Sequence, residues 1–199
     1  MNEKQFLKDL YKKAEKYGIK ITIVDSEYIK FADESINCGG YFDSEAKELK
    51  VAKGKSKAEY LGLLAHESSH MDQWIENEFM WDKLSHGYTI FFQWLEDKKI
   101  VKREILEEAV QDVIRLEKDC EVRAVKKIKK YNLPIDLKTY IRKANSYLFY
   151  YLHVFETRKW IPKVYAYKDV YLNAPSVFKK KYEKIPVRLK AALKRCSKQ

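Results

Sequence analysis

"LLAHESSHMDQW", residues 63–74, holds two histidines four residues apart, with a glutamate directly after the first. Upstream, Ser56 and Glu59 match the capping box, a serine at the helix N-cap and a glutamate three residues later. The helix that begins there is predicted to continue past the whole stretch. Residues four apart on a helix lie one above the other, so the rings of His66 and His70 are expected to share one face.

The segments on either side of this helix indicate an α+β fold in which helices dominate. Residues 19–25 alternate β-branched and polar side chains and predict a strand, and residues 28–33 predict a second. Residues 37–54 read as a hairpin with its turn near Asp43 and Ser44. The sheet is therefore expected to be small and to lie N-terminal to the motif helix.

Helical periodicity predicts the remaining segments. Gly87 is expected to interrupt the helical region after the motif, and Asp136 is expected to cap a later helix. Residues 1–131 are predicted to form the core and residues 132–199 a helical extension packed on it. The predicted helices cover residues 3–17, 56–79, 89–99, 103–131 and 137–155, and two short basic helices follow around Pro186.

Composition limits the class of protein. A chain of 199 residues, 46% apolar and 35% charged, is long enough to bury a core of its own. It contains no stretch long enough for a membrane span, and its first residues lack the apolar core of a signal peptide. These features predict no membrane partner and a cytoplasmic location. Cys38, Cys120 and Cys196 are odd in number and share no metal-type spacing, so reduced thiols are expected.

The formal charge of +11 favours acidic partners, nucleic acid among them, through counterion release. Basic clusters occupy residues 126–130, 179–184 and 188–198. No recognition motif accompanies them, so solvated lysine-rich helix faces explain them better. The charge alone does not predict a nucleic-acid-binding protein.

The pattern H-E-x-x-H predicts a metal site on the motif helix. His66 and His70 can present ring nitrogens to one cation, and Glu67, rotated by about 100°, lies beside it. A carboxylate there can accept the proton of a metal-activated water. Gln73 and Glu76 stand where the longer H-E-x-x-H-x-x-G-x-x-H pattern requires Gly and His, so that subclass is excluded.

A third ligand is expected from the long helix over residues 103–131. On a helical wheel Glu117 falls within its apolar stripe and Glu121 at the stripe's edge. A carboxylate facing a core is costly unless it is paired, protonated or bound to a metal, and a cation at the histidine pair supplies such a partner. His86 is an alternative third ligand. Cys120, next to the site on the wheel, is interpreted as a small core residue.

With these residues, the chain resembles the gluzincin zinc metallopeptidases, particularly the short minigluzincin type, over residues 37–124. In that family the second helix carries E-x-x-x-D/E, read here from Glu117 to Glu121. The resemblance implies that Zn²⁺ is held by His66, His70 and Glu117, and that Glu121 hydrogen-bonds a ligating histidine. Most relatives have Asp at the second acid, so the reverse assignment, with Glu121 as the ligand, stays open.

The resemblance implies hydrolysis of a peptide or protein, with Glu67 as general base. An edge strand, "ELKVA" (48–52) or "GGYF" (39–42), is expected to pair with the substrate. His153 is a candidate donor to the oxyanion, as are Tyr147, Tyr150, Tyr151 and Arg158.

The C-terminal third is similar to bacteriophage proteins that carry this motif, which implies action in the host cytoplasm. The alternative function is a basic nucleic-acid-associated module with a structural or inactive zinc site, which includes a protease acting on nucleic-acid-bound proteins. A hydrolase needs an open metal position, whereas a structural site is closed by a fourth protein ligand.

Overall fold

Five strands and seven α-helices follow one another in the computed structural model, which describes residues 2–31, 36–54, 56–97 and 99–197. The predicted α+β, helix-rich fold with a small N-terminal sheet is confirmed. In chain order the elements are α1 (Glu3–Lys16), β1 (Lys20–Val24), β2 (Ile29–Phe31), β3 (Ile36–Cys38), β4 (Gly40–Asp43), β5 (Glu48–Ala52), α2 (Lys57–Glu76), α3 (Glu78–Leu95), α4 (Arg103–Tyr131), α5 (Leu137–Thr157), a 3-10 turn (Val164–Ala166), α6 (Lys168–Tyr171) and α7 (Val187–Cys196).

Contacts divide the described chain into two compact units. The first comprises Met1–Glu78 with Cys120–Ile135, and the second Phe79–Asp119 with Asp136–Gln199. The change from one unit to the other therefore falls inside α4, and α3 groups with the C-terminal helices. The predicted division at residue 131, into a core and a helical extension, stays a prediction.

In the first unit, a three-stranded sheet carries the motif helix. Its order is β1–β5–β4, with β1 parallel and β4 antiparallel to the central strand β5. Helix α2 packs on β5 and β4, while α1 packs beside β1. Strands β2 and β3 form a separate antiparallel pair. Because β5 lies between two strands, β4 is the edge strand next to α2.

The start of α2 is fixed by the predicted capping box. The hydroxyl of Ser56 accepts a hydrogen bond from the backbone N–H of Glu59, and the Glu59 carboxylate accepts one from the backbone N–H of Ser56. The helix ends at Glu76, three residues earlier than expected, because Asn77 adopts an extended backbone conformation before α3 begins.

In the second unit, an aromatic core lies between α3, the first part of α4, α5 and the C-terminal segments. Its fully buried side chains include Phe91, Phe149, Tyr150, Tyr151 and Tyr182. Asp136 caps α5 as predicted, since its carboxylate accepts from the backbone N–H of Thr139 at 2.7 Å.

The predicted break at Gly87 is wrong, because α3 runs through this residue without interruption. A Cβ built on Gly87 would lie 2.8 Å from the carbonyl oxygen of Ala109 and 2.9 Å from Cβ of Asp112. Glycine is therefore required here by the close approach of α3 to α4 and not by a turn.

In the described chain around Pro186 there is one basic helix, α7, which begins directly after this proline, so the predicted pair is also wrong. The lysine-rich segment 179–184 has no regular secondary structure. Two side chains of α4 bind the backbone of this segment: Lys118 Nζ donates to the Lys180 carbonyl, and Gln111 Nε2 donates to the Tyr182 carbonyl.

Among the described residues, none of the helices combines the length and the apolar character that a bilayer crossing requires.

Candidate metal centre

His66 and His70 lie side by side on α2. Their ring centroids are 4.8 Å apart, and the two ring planes are nearly perpendicular at 87°. His70 is buried, whereas the His66 side chain keeps 17% of its surface exposed. The four-residue spacing therefore places both imidazoles on one face, as the motif requires, and leaves that face open to solvent at His66.

Each imidazole uses its Nδ1 atom within the first unit. Nδ1 of His66 lies 3.2 Å from Oε1 of Glu121, and Nδ1 of His70 lies 2.9 Å from Oε1 of Gln73. A carboxylate or amide oxygen at that distance accepts the Nδ1 proton of a neutral ring and so fixes the tautomer. A neutral ring held in this way presents an unprotonated Nε2, which is the form that binds a metal. His66, whose surroundings favour a proton, must therefore release one when a metal binds.

The surroundings of His66 favour a positive charge. Burial on its own lowers the pKa of His66, but the Cys120 sulfur and the Glu121 carboxylate outweigh it and raise this pKa well above the usual 6.5. The second carboxylate oxygen of Glu121 is buried and has no hydrogen-bond partner among the described residues. The contact of the Glu121 carboxylate at this centre is therefore the one with His66.

Cys120 belongs to the same cluster. One ligand atom each from His66, His70 and Cys120 lie within 4.8 Å of one another, the group among the described residues that can hold a metal ion. The Cys120 sulfur, however, lies on the Nδ1 side of His66, 3.5 Å from that nitrogen, and its S–H donates to the His66 carbonyl at 3.2 Å. Because the sulfur faces the Nδ1 atom that Glu121 already engages, its geometry fits a packing residue better than a ligand.

Glu67, the predicted base, is buried against the edge strand. A Cβ built on Gly40 of β4 would lie 3.0 Å from Cγ and 3.3 Å from Oε1 of Glu67, and also 3.0 Å from the Lys50 carbonyl oxygen. The missing side chain of Gly40 therefore makes room for the carboxylate beside β4. The alternative edge strand, "ELKVA", is excluded because it forms the central strand β5.

Glu117 is described with the second unit, where it accepts a hydrogen bond from the hydroxyl of Tyr88. The Tyr88 hydroxyl lies 3.2 Å from the Tyr151 hydroxyl, and the Tyr151 hydroxyl is hydrogen-bonded to the hydroxyl of Tyr147. Burial, and then the charge of Glu117, raise the pKa of Tyr88 and of Tyr151 well above the usual 10. These phenols therefore remain protonated donors at neutral pH.

The role of Glu117 as third ligand stays a prediction. The support for this prediction is the position of Glu117 on α4, one helical turn before Glu121 and on the same face. His86, the alternative third ligand, is exposed on α3.

The other predicted donors have defined partners in the second unit. The Tyr150 hydroxyl donates to the Ile161 carbonyl and accepts from the Ile161 backbone N–H, and Arg158 donates to the Trp94 carbonyl. His153 is 3% exposed, stacks on Tyr150 and has Nε2 3.5 Å from the Ser197 hydroxyl. His153 follows Tyr151 by two residues, and about 200° of helix rotation separates the two side chains. Its catalytic role stays a prediction, while these contacts are those of a packed core histidine.

Three residues that contact the predicted site residues within their own units were not anticipated. Gln73 stands three residues after His70, and helical spacing alone is enough to predict its contact with that ring. Gly40 and Tyr88 carry no such signal, because their partners come from distant segments. Comparisons with protein-family models, with curated proteins and with solved structures each found no match for this chain.

Proposed function

We propose that the protein is a Zn²⁺-dependent peptidase in which His66 and His70 hold the metal through Nε2. The observation that carries this proposal is the pairing of both Nδ1 atoms with internal acceptors, Glu121 and Gln73. Two imidazoles oriented in this way, with a carboxylate at the adjacent position, match the donor chemistry that zinc prefers. Glu117, one turn before Glu121 on α4, is the carboxylate that we propose as the third ligand.

When bound, zinc supplies a Lewis acid that polarises the attacked carbonyl and makes water acidic enough to lose a proton near neutral pH. The residues of this chain supply the rest. Glu67 accepts the proton of the attacking water and passes it to the leaving amine as the carbon–oxygen bond forms and the carbon–nitrogen bond breaks. Its position beside Gly40 puts this proton transfer next to the edge strand β4.

An extended peptide is the substrate class that suits this arrangement. A strand at the edge of a sheet can pair with a peptide backbone, which places the peptide bonds in a fixed register. Strand β4 is such an edge, and Glu67 lies beside its first residue. We further propose that this peptidase works in a reducing, cytoplasmic compartment, since Cys38, Cys120 and Cys196 form no disulfide within the described residues.

The test combines metal content with cleavage. Purified protein is expected to contain or take up about one zinc per chain by mass spectrometry, and to cleave an unfolded reporter protein or a mixed peptide library. The Glu67→Gln variant should keep its zinc and lose cleavage by about a hundredfold or more. Wild-type protein that takes up no zinc, or a Glu67→Gln variant with unchanged cleavage, contradicts the proposal.

A second test asks whether the Cys120 sulfur binds the metal. A Cys120→Ser variant should keep its metal, and Co²⁺-loaded wild-type protein should show no sulfur-to-cobalt charge-transfer absorption in the near ultraviolet. A strong band that disappears in Cys120→Ser would instead make the thiolate a ligand.

A further inference from the structure

The two faces of β4 differ in what they carry. Side chains alternate along a strand, so Gly40 and Phe42 lie on one face and Tyr41 on the other. The first face packs on α2, since Gly40 borders Glu67 and the Phe42 ring lies 5.9 Å from the Trp74 ring. The Tyr41 hydroxyl donates instead to Oε2 of Glu48 at 3.0 Å.

Helix α2 presents a matching pair of side chains to this face. Glu67 and Trp74 are seven residues apart, which is close to two helical turns, so they lie along one line of the helix. Gly40 faces the first and Phe42 faces the second. The predicted base and an aromatic pair thus lie side by side along the same edge strand, all within the first unit.

The aromatic pair is partly exposed. Phe42 and Trp74 are both half-buried, with their rings tilted at 48°, and Nζ of Lys47 lies 5.9 Å from the Trp74 ring centroid. A tryptophan that only filled the core would be expected to be covered, as Phe91 is in the second unit. Here part of the apolar ring surface remains open beside the edge strand.

We propose that Phe42 and Trp74 form a subsite for a large apolar or aromatic side chain of the peptide substrate, close to the bond that is cleaved. This inference rests on the proposed peptidase function. A peptide paired with β4 directs every second side chain towards the α2 face, where the aromatic pair lies next to Glu67. The subsite therefore selects residues such as Phe, Tyr, Leu or Met at one position of the substrate.

The experiment uses zinc-loaded protein and a library of decapeptides, with cleavage sites read by mass spectrometry. Wild-type protein should enrich large apolar residues at one position beside the cleaved bond. For a matched peptide pair with Phe or Ala at that position, Trp74→Ala and Phe42→Ala should lower kcat/KM for the Phe peptide by about tenfold or more. Their kcat/KM for the Ala peptide should change little.

Two control variants distinguish a lost substrate preference from a general loss of folding. Tyr41→Ala lies on the opposite face of the same strand and should keep the preference, and Trp74→Phe should restore most of it. Thermal melts and zinc content identify variants that have lost their fold. An equal loss on both peptides, or a preference unchanged in Trp74→Ala and Phe42→Ala, overturns the subsite.

A binding measurement distinguishes failure of the subsite from failure of the peptidase. If wild-type protein cleaves none of the peptides, fluorescence anisotropy of the labelled Phe and Ala decapeptides still tests the subsite. Tighter binding of the Phe peptide, lost in Trp74→Ala, keeps the subsite and rejects only hydrolysis. Equal binding of the two peptides by wild-type protein rejects the subsite.

Discussion

At the scale of single residues, the two nitrogens of each histidine ring have different tasks. Glu121 and Gln73 engage the Nδ1 atoms of His66 and His70, and the proposed site binds its cation through the two Nε2 atoms. Such supporting acceptors orient a ligand and raise its basicity, and their loss commonly costs 10–100-fold in metal affinity. Loss of a ligand itself is expected to cost more.

Zinc titrations of alanine variants test this ranking. We expect Glu121→Ala to weaken zinc binding by about 10–100-fold and Glu117→Ala to weaken it further. Glu76→Ala is the control, because this exposed acid on α2 pairs with Arg123 instead of a histidine. Equal zinc retention in Glu117→Ala would remove Glu117 as a ligand, and a larger loss in Glu121→Ala would support the reverse assignment.

His153 gives a prediction about acid stability. Burial lowers its pKa below the usual 6.5. The charge of Glu156 opposes this shift, while the smaller effects of Lys190 and Lys194 add to it. The unfolded chain has no such burial, so below about pH 6.5 it binds a proton that the folded protein resists binding. The free energy of unfolding therefore falls as the pH drops from about 6.5 towards the lowered pKa, and no such effect operates above pH 6.5.

Urea denaturation between pH 8 and pH 5.5 checks this effect. The wild-type free energy of unfolding should fall more steeply below pH 6.5 than that of His153→Gln, by at most about 1.4 kcal/mol per pH unit. His86→Gln, at an exposed position on α3, should follow the wild-type curve. Parallel curves for wild type and His153→Gln would show that His153 is protonated equally in both states.

At the scale of elements, local signals predicted most of the structure. The capping box at Ser56, the N-cap at Asp136 and the long periodicity of α4 each act within one turn or one helix, so the sequence contains them completely. The same holds for the histidine pair and for Glu121 one turn after Glu117. Contacts between distant segments were not predictable in this way, and Gly40 beside Glu67 is the clearest example.

Gly87 shows how packing can reverse a local rule. Replacing a mid-helix glycine with alanine normally stabilises a helix by about 0.5–1 kcal/mol. At Gly87 the added Cβ would meet the Ala109 carbonyl oxygen at 2.8 Å, and such overpacking costs about 1–3 kcal/mol. We therefore expect Gly87→Ala to destabilise the protein by about 1–2 kcal/mol in thermal or urea denaturation.

Ser85→Ala is the matched control on the same helix. The Ser85 hydroxyl oxygen is buried without a hydrogen-bond partner in the part of the chain that the structure describes. Its removal should change the free energy of unfolding by less than about 0.5 kcal/mol or raise it slightly. A stabilising Gly87→Ala would mean that α3 and α4 separate easily at this point.

At the scale of the whole molecule, the net charge of +11 is the dominant property. Not every lysine contributes to an external field. Lys127, in the basic run at the end of α4, is turned inward and bonds Asp72 at 2.8 Å and Ser68 at 2.8 Å. Its neighbours Lys126, Lys129 and Lys130 are exposed.

Duplex DNA of random sequence tests what this charge does. We expect weak binding near 50 mM salt that falls steeply and linearly on a log–log plot as the salt concentration rises. His66→Ala with His70→Ala should leave that binding unchanged, because the exposed lysines and not the metal centre carry it. Salt-insensitive or sequence-selective binding would instead support the nucleic-acid-associated module.

The absence of a side chain at Gly40 also defines a sequence signature by which relatives of this chain can be recognised. Since Glu67 lies where a strand side chain would otherwise project, the short pattern Gly-x-Phe belongs to the candidate centre as much as His-Glu-x-x-His-x-x-x-Trp does. A search that requires both patterns, separated by one strand and a helix N-terminus, uses a constraint between distant segments that the zinc motif by itself lacks. Among the sequences found in this way, the residue at the position of Phe42 is expected to covary with the residue at the position of Trp74.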